Sequence, residues 1–174
     1  MTARDLERLL TAQGAGKAKI EAITRQLRDS GRLRTAGRGN YAPTIGPEDA
    51  ALMLIALAGS TKGNEADIRV GKLQGIVRKT GNRSKRTLLE TLTLLLSEPS
   101  KLKDVAAVRV ARTQRRAGVH FIDGRVEEFS SPKSGKCTDR FQVEGILPRP
   151  LLQLVASALL DECPSAPDAV GEQR

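Results

Sequence analysis

The sequence predicts an α+β protein in which helices come first and a small antiparallel β-sheet follows. Up to Pro99, apolar residues recur with the spacing of amphipathic helices, and after Pro99 they alternate every second residue. A further helical pattern begins near Leu151 and ends at Glu162. Helices and strands that are grouped along the chain in this way are typical of the α+β class.

Two short helices are predicted at the start of the chain. In "TARDLERLL", Thr2 is the expected N-cap and Asp5 its capping-box partner. The glycines of residues 14–16 should break this helix. A second helix is expected from Lys17 to Ser30, where Gly31 supplies a C-terminal stop.

The stretch "GRLRTAGRGNYAP", residues 31–43, predicts a basic hairpin directly after the second helix. Gly37 and Gly39 would let the chain reverse and approach another backbone closely. Tyr41 is expected to close a small core rather than to stack on a base. Pro43 ends the hairpin.

The order of helix, tight turn, helix and two-stranded ribbon over residues 2–43 resembles the winged helix-turn-helix family. The resemblance implies a duplex-DNA-binding domain in which the ribbon is the wing. An apolar helix in "GPEDAALMLIALAG", begun by Pro47 and ended by Gly59, would complete a three-helix core. The predicted DNA-binding domain is therefore 1–59.

The second helix offers a polar face opposite its apolar stripe of Ile20, Ile23 and Leu27. Arg and Lys can bond guanine, Gln can bond adenine, and Ala can contact a thymine methyl group. The predicted DNA-binding residues of this helix and the wing are Lys17, Lys19, Ala22, Arg25, Gln26, Arg28, Arg32, Arg34 and Arg38. Lys17 and Arg28 lie on a flank suited to phosphate. The alternative is an ordinary solvated helix face.

The rest of the folded chain, residues 60–162, is predicted to be a second α+β domain. Helices at 65–78 and 84–97 should form a helical hairpin, with Ser84 capping the second of them. Strands are expected in "VRVAR", "AGVHFIDGRVEEFSS" and "RFQVEGIL", and Asp123-Gly124 marks a hairpin turn. Residues 163–174 have the composition of a disordered acidic tail.

A second basic loop, "RKTGNRSKR", joins the two predicted helices of this domain. Its candidate DNA-binding residues are Lys79, Arg83, Lys85 and Arg86. A further DNA contact and a simple solvated loop are equally compatible with this sequence.

Charge and composition favour a polyanionic partner. The net charge is +9, and residues 1–45 carry nine basic and four acidic residues. Residues 62–86 carry eight and two, whereas the tail from Asp161 carries four acids and one base. Aromatic residues make up 2%, which disfavours a base-stacking single-strand binder.

Several classes of function find no support in the sequence. Cys137 and Cys163 with His120, the single histidine, form no recognisable zinc motif, and no cofactor motif is present. His120 is expected to be a packed or surface residue. Glu127 and Glu128 are adjacent in a strand and should face opposite sides, so we expect no enzyme. The longest apolar stretch is too short to span a bilayer, and no signal peptide is expected.

These observations predict a cytoplasmic, bacterial or phage-type, sequence-specific DNA-binding protein that acts in transcription regulation. The expected assembly is a homodimer, and residues 60–162 could bind a protein partner or an effector. A phage DNA-packaging or architectural protein is an alternative. An RNA- or ribosome-associated basic protein is another, and so is a protein–protein adaptor with incidental positive charge.

Overall fold

The computed structural model describes residues 1–34, 43–79, 86–131 and 144–161. Several predictions fall on residues outside these ranges: the hairpin tip with Gly37, Gly39 and Tyr41, the Ser84 cap, and the acidic tail. The described part is α+β, as predicted. It holds six α-helices, two 3-10 segments and one five-stranded antiparallel sheet.

The described residues form six α-helices, the last of which follows the sheet in sequence. Their bounds are α1 Ala3–Ala12, α2 Lys17–Asp29, α3 Pro47–Gly59, α4 Ala66–Leu73, α5 Leu88–Ser97 and α6 Arg149–Leu160. The 3-10 segments are Gly63–Glu65 and Pro99–Asp104. No helix within these described ranges has both the length and the apolar character needed to cross a bilayer.

The predicted start of the chain is confirmed in detail. The Thr2 hydroxyl accepts from the Asp5 backbone N–H, and the Asp5 carboxylate accepts from the Thr2 backbone N–H at 3.1 Å. The Thr2 hydroxyl also donates to the Asp5 carboxylate, and this bond, with that from the Thr2 backbone N–H, holds the pKa of Asp5 below its ordinary value. Gly14 and Gly31 have φ of 89° and 71°, so each of the first two helices ends where a side chain would be strained.

α3 is the helix around which the molecule is packed. It contacts α2, α4 and α5, and also the strands β2 (Val105–Ala111) and β5 (Glu144–Pro148). Leu54 and Ile55 are fully buried, as are most residues of this helix. One continuous apolar core therefore runs from Leu6 of α1 to Val155 of α6. The division into domains at residue 59 remains a prediction.

The predicted helical hairpin of residues 65–78 and 84–97 is wrong. α4 ends at Leu73, and Val77–Arg78 form a short strand, β1. Gly75 lies between them, and the β-branched Val77 suits a strand better than a helix. α5 begins only at Leu88. Both α4 and α5 pack mainly against α3, which satisfies the apolar stripes that suggested a hairpin.

The cap of α5 is also three residues later than the expected one. The Thr87 hydroxyl accepts from the Glu90 N–H at 3.2 Å, and the Glu90 carboxylate accepts from the Thr87 N–H at 2.8 Å. Ser and Thr are both good N-caps, and the Thr87–Glu90 spacing supplies the reciprocal capping box.

The strands after β1 are β2 Val105–Ala111, β3 Arg116–Phe121, β4 Val126–Ser130 and β5 Glu144–Pro148. They form one sheet with the strand order β1-β4-β3-β2-β5. The hairpin between β3 and β4 turns at Asp123-Gly124, as predicted, and Gly124 has φ of 84°. Glu127 and Glu128 point to opposite faces and bind Arg78 and Lys79 respectively.

One face of the sheet packs on the helices and the other is open. Val108, Val110 and Val119 are buried on the packed face. α3 approaches β5 so closely that a Cβ on Gly145 would lie 2.0 Å from the carbonyl oxygen of Ala58. The open face carries Arg109, whose cross-strand partners are Gly118 and the exposed Ile146.

Candidate nucleic-acid interface

α1 and α2 form two helices joined by a tight turn. Ile20, Ile23 and Leu27 bury the inner side of α2 against α1 and α3, as the apolar stripe predicts. Gly16 is the N-cap of α2 and provides no side-chain cap, so backbone N–H groups at this end are open to another acceptor.

The outward side of α2 is a polar stripe with three basic residues, two acidic residues and one alanine. Its exposed members are Lys17, Ala18, Glu21, Arg25, Arg28 and Asp29, and we call this set the α2 stripe. The Lys17 Nζ lies 3.9 Å from a Glu21 carboxylate oxygen, and both side chains are more than half exposed. Such a pair is weak and can rearrange around a ligand.

Glu21 lies on the α2 stripe but not on the polar face that the sequence predicts. The prediction placed the polar face directly opposite Ile20, Ile23 and Leu27, at about 100° per residue. In the structure the exposed side of α2 is shifted toward α1, because other elements cover the opposite flank of α2. Nothing in the sequence of α2 indicates which flank those elements will cover.

Lys19 lies on the covered flank and has an intramolecular role. Its Nζ donates to the Ser60 carbonyl at 2.8 Å and to the Leu57 carbonyl at 3.2 Å, at the C-terminal end of α3. Burial, with the nearby positive charge of Arg112, lowers the pKa of Lys19. Lys19 therefore satisfies a helix end that would otherwise present unpaired carbonyls.

Ala22 and Gln26 lie on the same flank and are half-buried. The 3-10 segment Gly63–Glu65 packs here, and a Cβ on Gly63 would lie 2.4 Å from the Ala22 Cβ. The small side chain of Ala22 thus allows this segment to approach. Of the predicted base-reading residues, Arg25 is the one that the structure leaves fully facing solvent.

The arginines that follow α2 differ in their environment. The Arg32 Nε donates to the Asp67 carboxylate at 2.6 Å, and its guanidinium also donates to the Gln74 side chain at 3.1 Å. The bond from Arg32 lowers the pKa of Asp67. Arg32 therefore links the segment that follows α2 to α4, whereas Arg34 is exposed. Arg38 lies outside the described residues.

Both ends of the predicted wing are attached to the helical core. Leu33 is buried, and beyond residues 35–42 the chain pairs with its own start. Thr44 forms an antiparallel bridge with Thr2, and the Ile45 N–H donates to the Met1 carbonyl at 2.8 Å. Arg34 is thereby held beside the C-terminal end of α2.

The second basic loop starts from a different part of the molecule. The Lys79 backbone N–H donates to the Glu128 carbonyl at 2.7 Å, which fixes Lys79 beside β4. Arg86 is exposed just before α5. Arg83 and Lys85 lie outside the described residues. α2 packs against α1, α3, α4 and the 3-10 segment Gly63–Glu65, whereas Lys79 lies beside β4 and Arg86 precedes α5.

The described part of the chain contains no group of three or more His, Cys, Asp and Glu side chains placed to hold a metal ion. His120 is half-buried on the open face of the sheet, consistent with the expected surface or packed histidine. Comparisons with protein-family models, with curated proteins and with solved structures find no match to this chain.

Proposed function

We propose that this protein binds duplex DNA through the α2 stripe and acts as a transcription regulator of the winged helix-turn-helix kind. The observation that carries the proposal is the exposed row of Lys17, Arg25 and Arg28 on the second of two helices joined by a tight turn. An α-helix with long donors on its outer side fits the major groove.

Two further observations support the proposal. The net charge of +9 attracts a polyanion over distance, and within the described residues no side chain caps the N-terminal end of α2 next to Lys17. Arg34 extends the positive charge past the other end of the helix. In this arrangement Arg25 contacts base edges, while Lys17, Arg28 and Arg34 bind phosphate.

Glu21 affects DNA binding in the same arrangement. It lies one turn from Arg25 on the α2 stripe, and a carboxylate there repels phosphate while it can accept from a cytosine amino group. Glu21 would therefore weaken binding to random DNA and make the helix more selective.

The test is the salt dependence of binding to a labelled duplex, followed by fluorescence anisotropy. Arg28→Ala and Lys17→Ala should each lower the magnitude of the salt slope by about one, because each removes a phosphate contact. Lys101→Ala is the matched control, since it removes one exposed positive charge before β2, away from α2.

The competing functions give other results in the same assay. If single strands or structured RNA bind more tightly than the duplex at every salt concentration, the RNA-associated alternative replaces this proposal. If Lys101→Ala lowers the slope as much as Arg28→Ala, the interaction depends on net charge and not on the α2 stripe.

A further inference from the structure

The open face of the sheet holds a depression of about 210 Å³ that has Gly118 in its lining. Gly118 lies in the middle of β3. Because glycine has no side chain, the surface over Gly118 is lower than the surface over the neighbouring residues. We call this feature the Gly118 depression. A Cβ added to Gly118 would already lie 3.3 Å from the His120 Nε2 and 3.4 Å from the Val126 side chain.

Strand register places basic side chains around this glycine. Arg116 and His120 lie two residues to either side on β3 and so share its face. Arg109 is directly opposite Gly118 on β2, and Glu128 is directly opposite on β4. Three different strands thus contribute charged groups to one small site.

The acidic residues at the rim pair loosely with the basic ones. The Arg109 guanidinium lies 3.7 Å from the Glu144 carboxylate, and the Lys79 Nζ lies 3.7 Å from the Glu128 carboxylate. Elsewhere in the molecule the pairs Arg32–Asp67 and Arg78–Glu127 close to 2.6 and 2.7 Å. Arg109 and Lys79 therefore keep much of their capacity to bind another anion.

His120 lines the depression, and its surroundings disfavour the protonated ring. Burial lowers the pKa of His120, the positive charge of Arg109 lowers it further, and Glu144 opposes them. Arg116 on its own strand and Glu128 on β4 complete the charged lining. The described residues that line the depression thus carry the basic side chains of Lys79, Arg109 and Arg116 and the carboxylates of Glu128 and Glu144.

The size of the depression limits the kind of ligand. Pockets for larger organic ligands are about 300–1,000 Å³. The Gly118 depression is smaller and open, so it suits an anionic group on a small molecule. A planar guanidinium such as that of Arg109 binds carboxylate and phosphate groups with two parallel hydrogen bonds.

We propose that the Gly118 depression is a binding site for a small anion, the carboxylate or phosphate group of a low-molecular-weight ligand, with Arg109 as its main partner. This site is separate from the α2 stripe and does not depend on DNA binding. In a regulator it would be the place where an effector acts.

The experiment uses His120 as the reporter, because it is the single histidine of the chain. Its imidazole C–H signal is followed by NMR from pH 5 to 8 in the full-length protein, with inorganic phosphate, with acetate, or with chloride at matched ionic strength. An anion bound beside the ring favours the protonated form. Phosphate or acetate should raise the pKa of His120 by about half a unit relative to chloride, which is about a threefold preference for the charged ring.

Three variants decide where the anion binds, each compared with its own chloride baseline. Arg109→Gln should abolish the rise, while Arg109→Lys should keep part of it because the charge remains. Arg8→Gln, which removes an exposed charge from α1, should leave the rise intact. Arg109 is half exposed and loosely paired, so its variants should fold, and the spread of amide signals checks this.

Each outcome of this experiment either supports the proposed anion site or contradicts it. A rise with phosphate alone assigns a phosphate ligand, and a rise with acetate alone assigns a carboxylate. No rise in the wild type with either anion, or the same rise in Arg109→Gln, would overturn the proposal. A response to duplex DNA without any response to the small anions would also overturn it. DNA binding by the α2 stripe could still hold in each of these cases.

Discussion

Lys19 and Arg112 donate hydrogen bonds to the same end of α3. The Lys19 Nζ reaches the Leu57 and Ser60 carbonyls, and the Arg112 Nε reaches the Ala58 carbonyl at 3.1 Å. One residue belongs to α2 and the other follows β2. Two cations at a helix C-terminus also favour its dipole. This end of α3 therefore links the proposed DNA-binding helix to the sheet.

The first prediction is that Lys19→Met destabilises the protein by about 1–3 kcal/mol, because it leaves buried helix-end carbonyls without a donor. Urea unfolding measures this change in free energy. Lys17→Met is the control: it removes the same group from an exposed position and should change stability by less than about 0.5 kcal/mol. Equal effects of the two variants would show that the bonds of Lys19 contribute nothing measurable.

The second prediction concerns DNA sequence preference. Arg25→Ala should weaken binding to a selected site by about 1–3 kcal/mol and binding to random duplex much less, because it removes a base contact. Gln26→Ala should have the smaller effect on preference, since Gln26 is half-buried beside the 3-10 segment. Selection from a randomised duplex library, repeated with each variant, measures both. If Gln26→Ala changes the selected site and Arg25→Ala does not, the bases are contacted by the flank of α2 that carries Gln26 and not by the α2 stripe.

The third prediction tests the contact between α3 and β5. Gly145→Ala should destabilise the protein by more than about 2 kcal/mol, because its Cβ would meet the backbone of Ala58 and not a movable side chain. Gly75→Ala is the control. Among the described residues, nothing lies within 4 Å of a Cβ there, and its φ is not positive. Thermal unfolding of the two variants should differ clearly in Tm, and a matched Tm would contradict the packing.

The fourth prediction concerns the charges next to His120. Arg109→Gln should raise the pKa of His120, and Glu144→Gln should lower it further, since these residues act on the ring in opposite directions. The pKa of His120 in the folded protein lies below its ordinary value. Its contribution to stability is therefore complete above about pH 6.5 and is lost as the pH falls through the folded-state pKa. NMR titration in chloride gives the pKa values; an unchanged value in both variants would contradict the proposed lining.

The fifth prediction concerns the smallest stable unit. A fragment of residues 1–60 should aggregate or unfold, because it exposes the side of α3 that packs on α5, β2 and β5. Its behaviour is measured by circular dichroism and light scattering against the full chain. A monomeric fragment 1–60 that melts cooperatively would instead support an independent domain with its boundary at residue 59.

The elements with complete local signals could be predicted from the sequence. The Thr2 cap, the stop at Gly31, Pro47 at the start of α3 and the Asp123-Gly124 turn each depend on residues close together in the chain. Backbone preference decides such features before any long-range packing is known.

The elements whose identity depends on distant partners could not be predicted. Val77 and Arg78 continue a helical pattern. In the structure, however, Val77 pairs with Ser130 of β4 and Arg78 pairs with Phe129. In the same way Lys19 has the character of a surface residue, and its function depends on carbonyls about forty positions away. Periodicity records which side of a segment is apolar but not which element will cover its polar side.

The contact between Ala58 and Gly145 has a consequence for synthesis of the chain on the ribosome. These residues are separated by half of the sequence, and α3 cannot complete its packing until β5 has left the exit tunnel. Until then α3, which is buried along most of its length in the folded protein, must remain exposed or transiently covered. We therefore expect nascent chains halted before residue 144 to be captured by chaperones, and release of β5 and α6 from the tunnel to let α3 complete its packing.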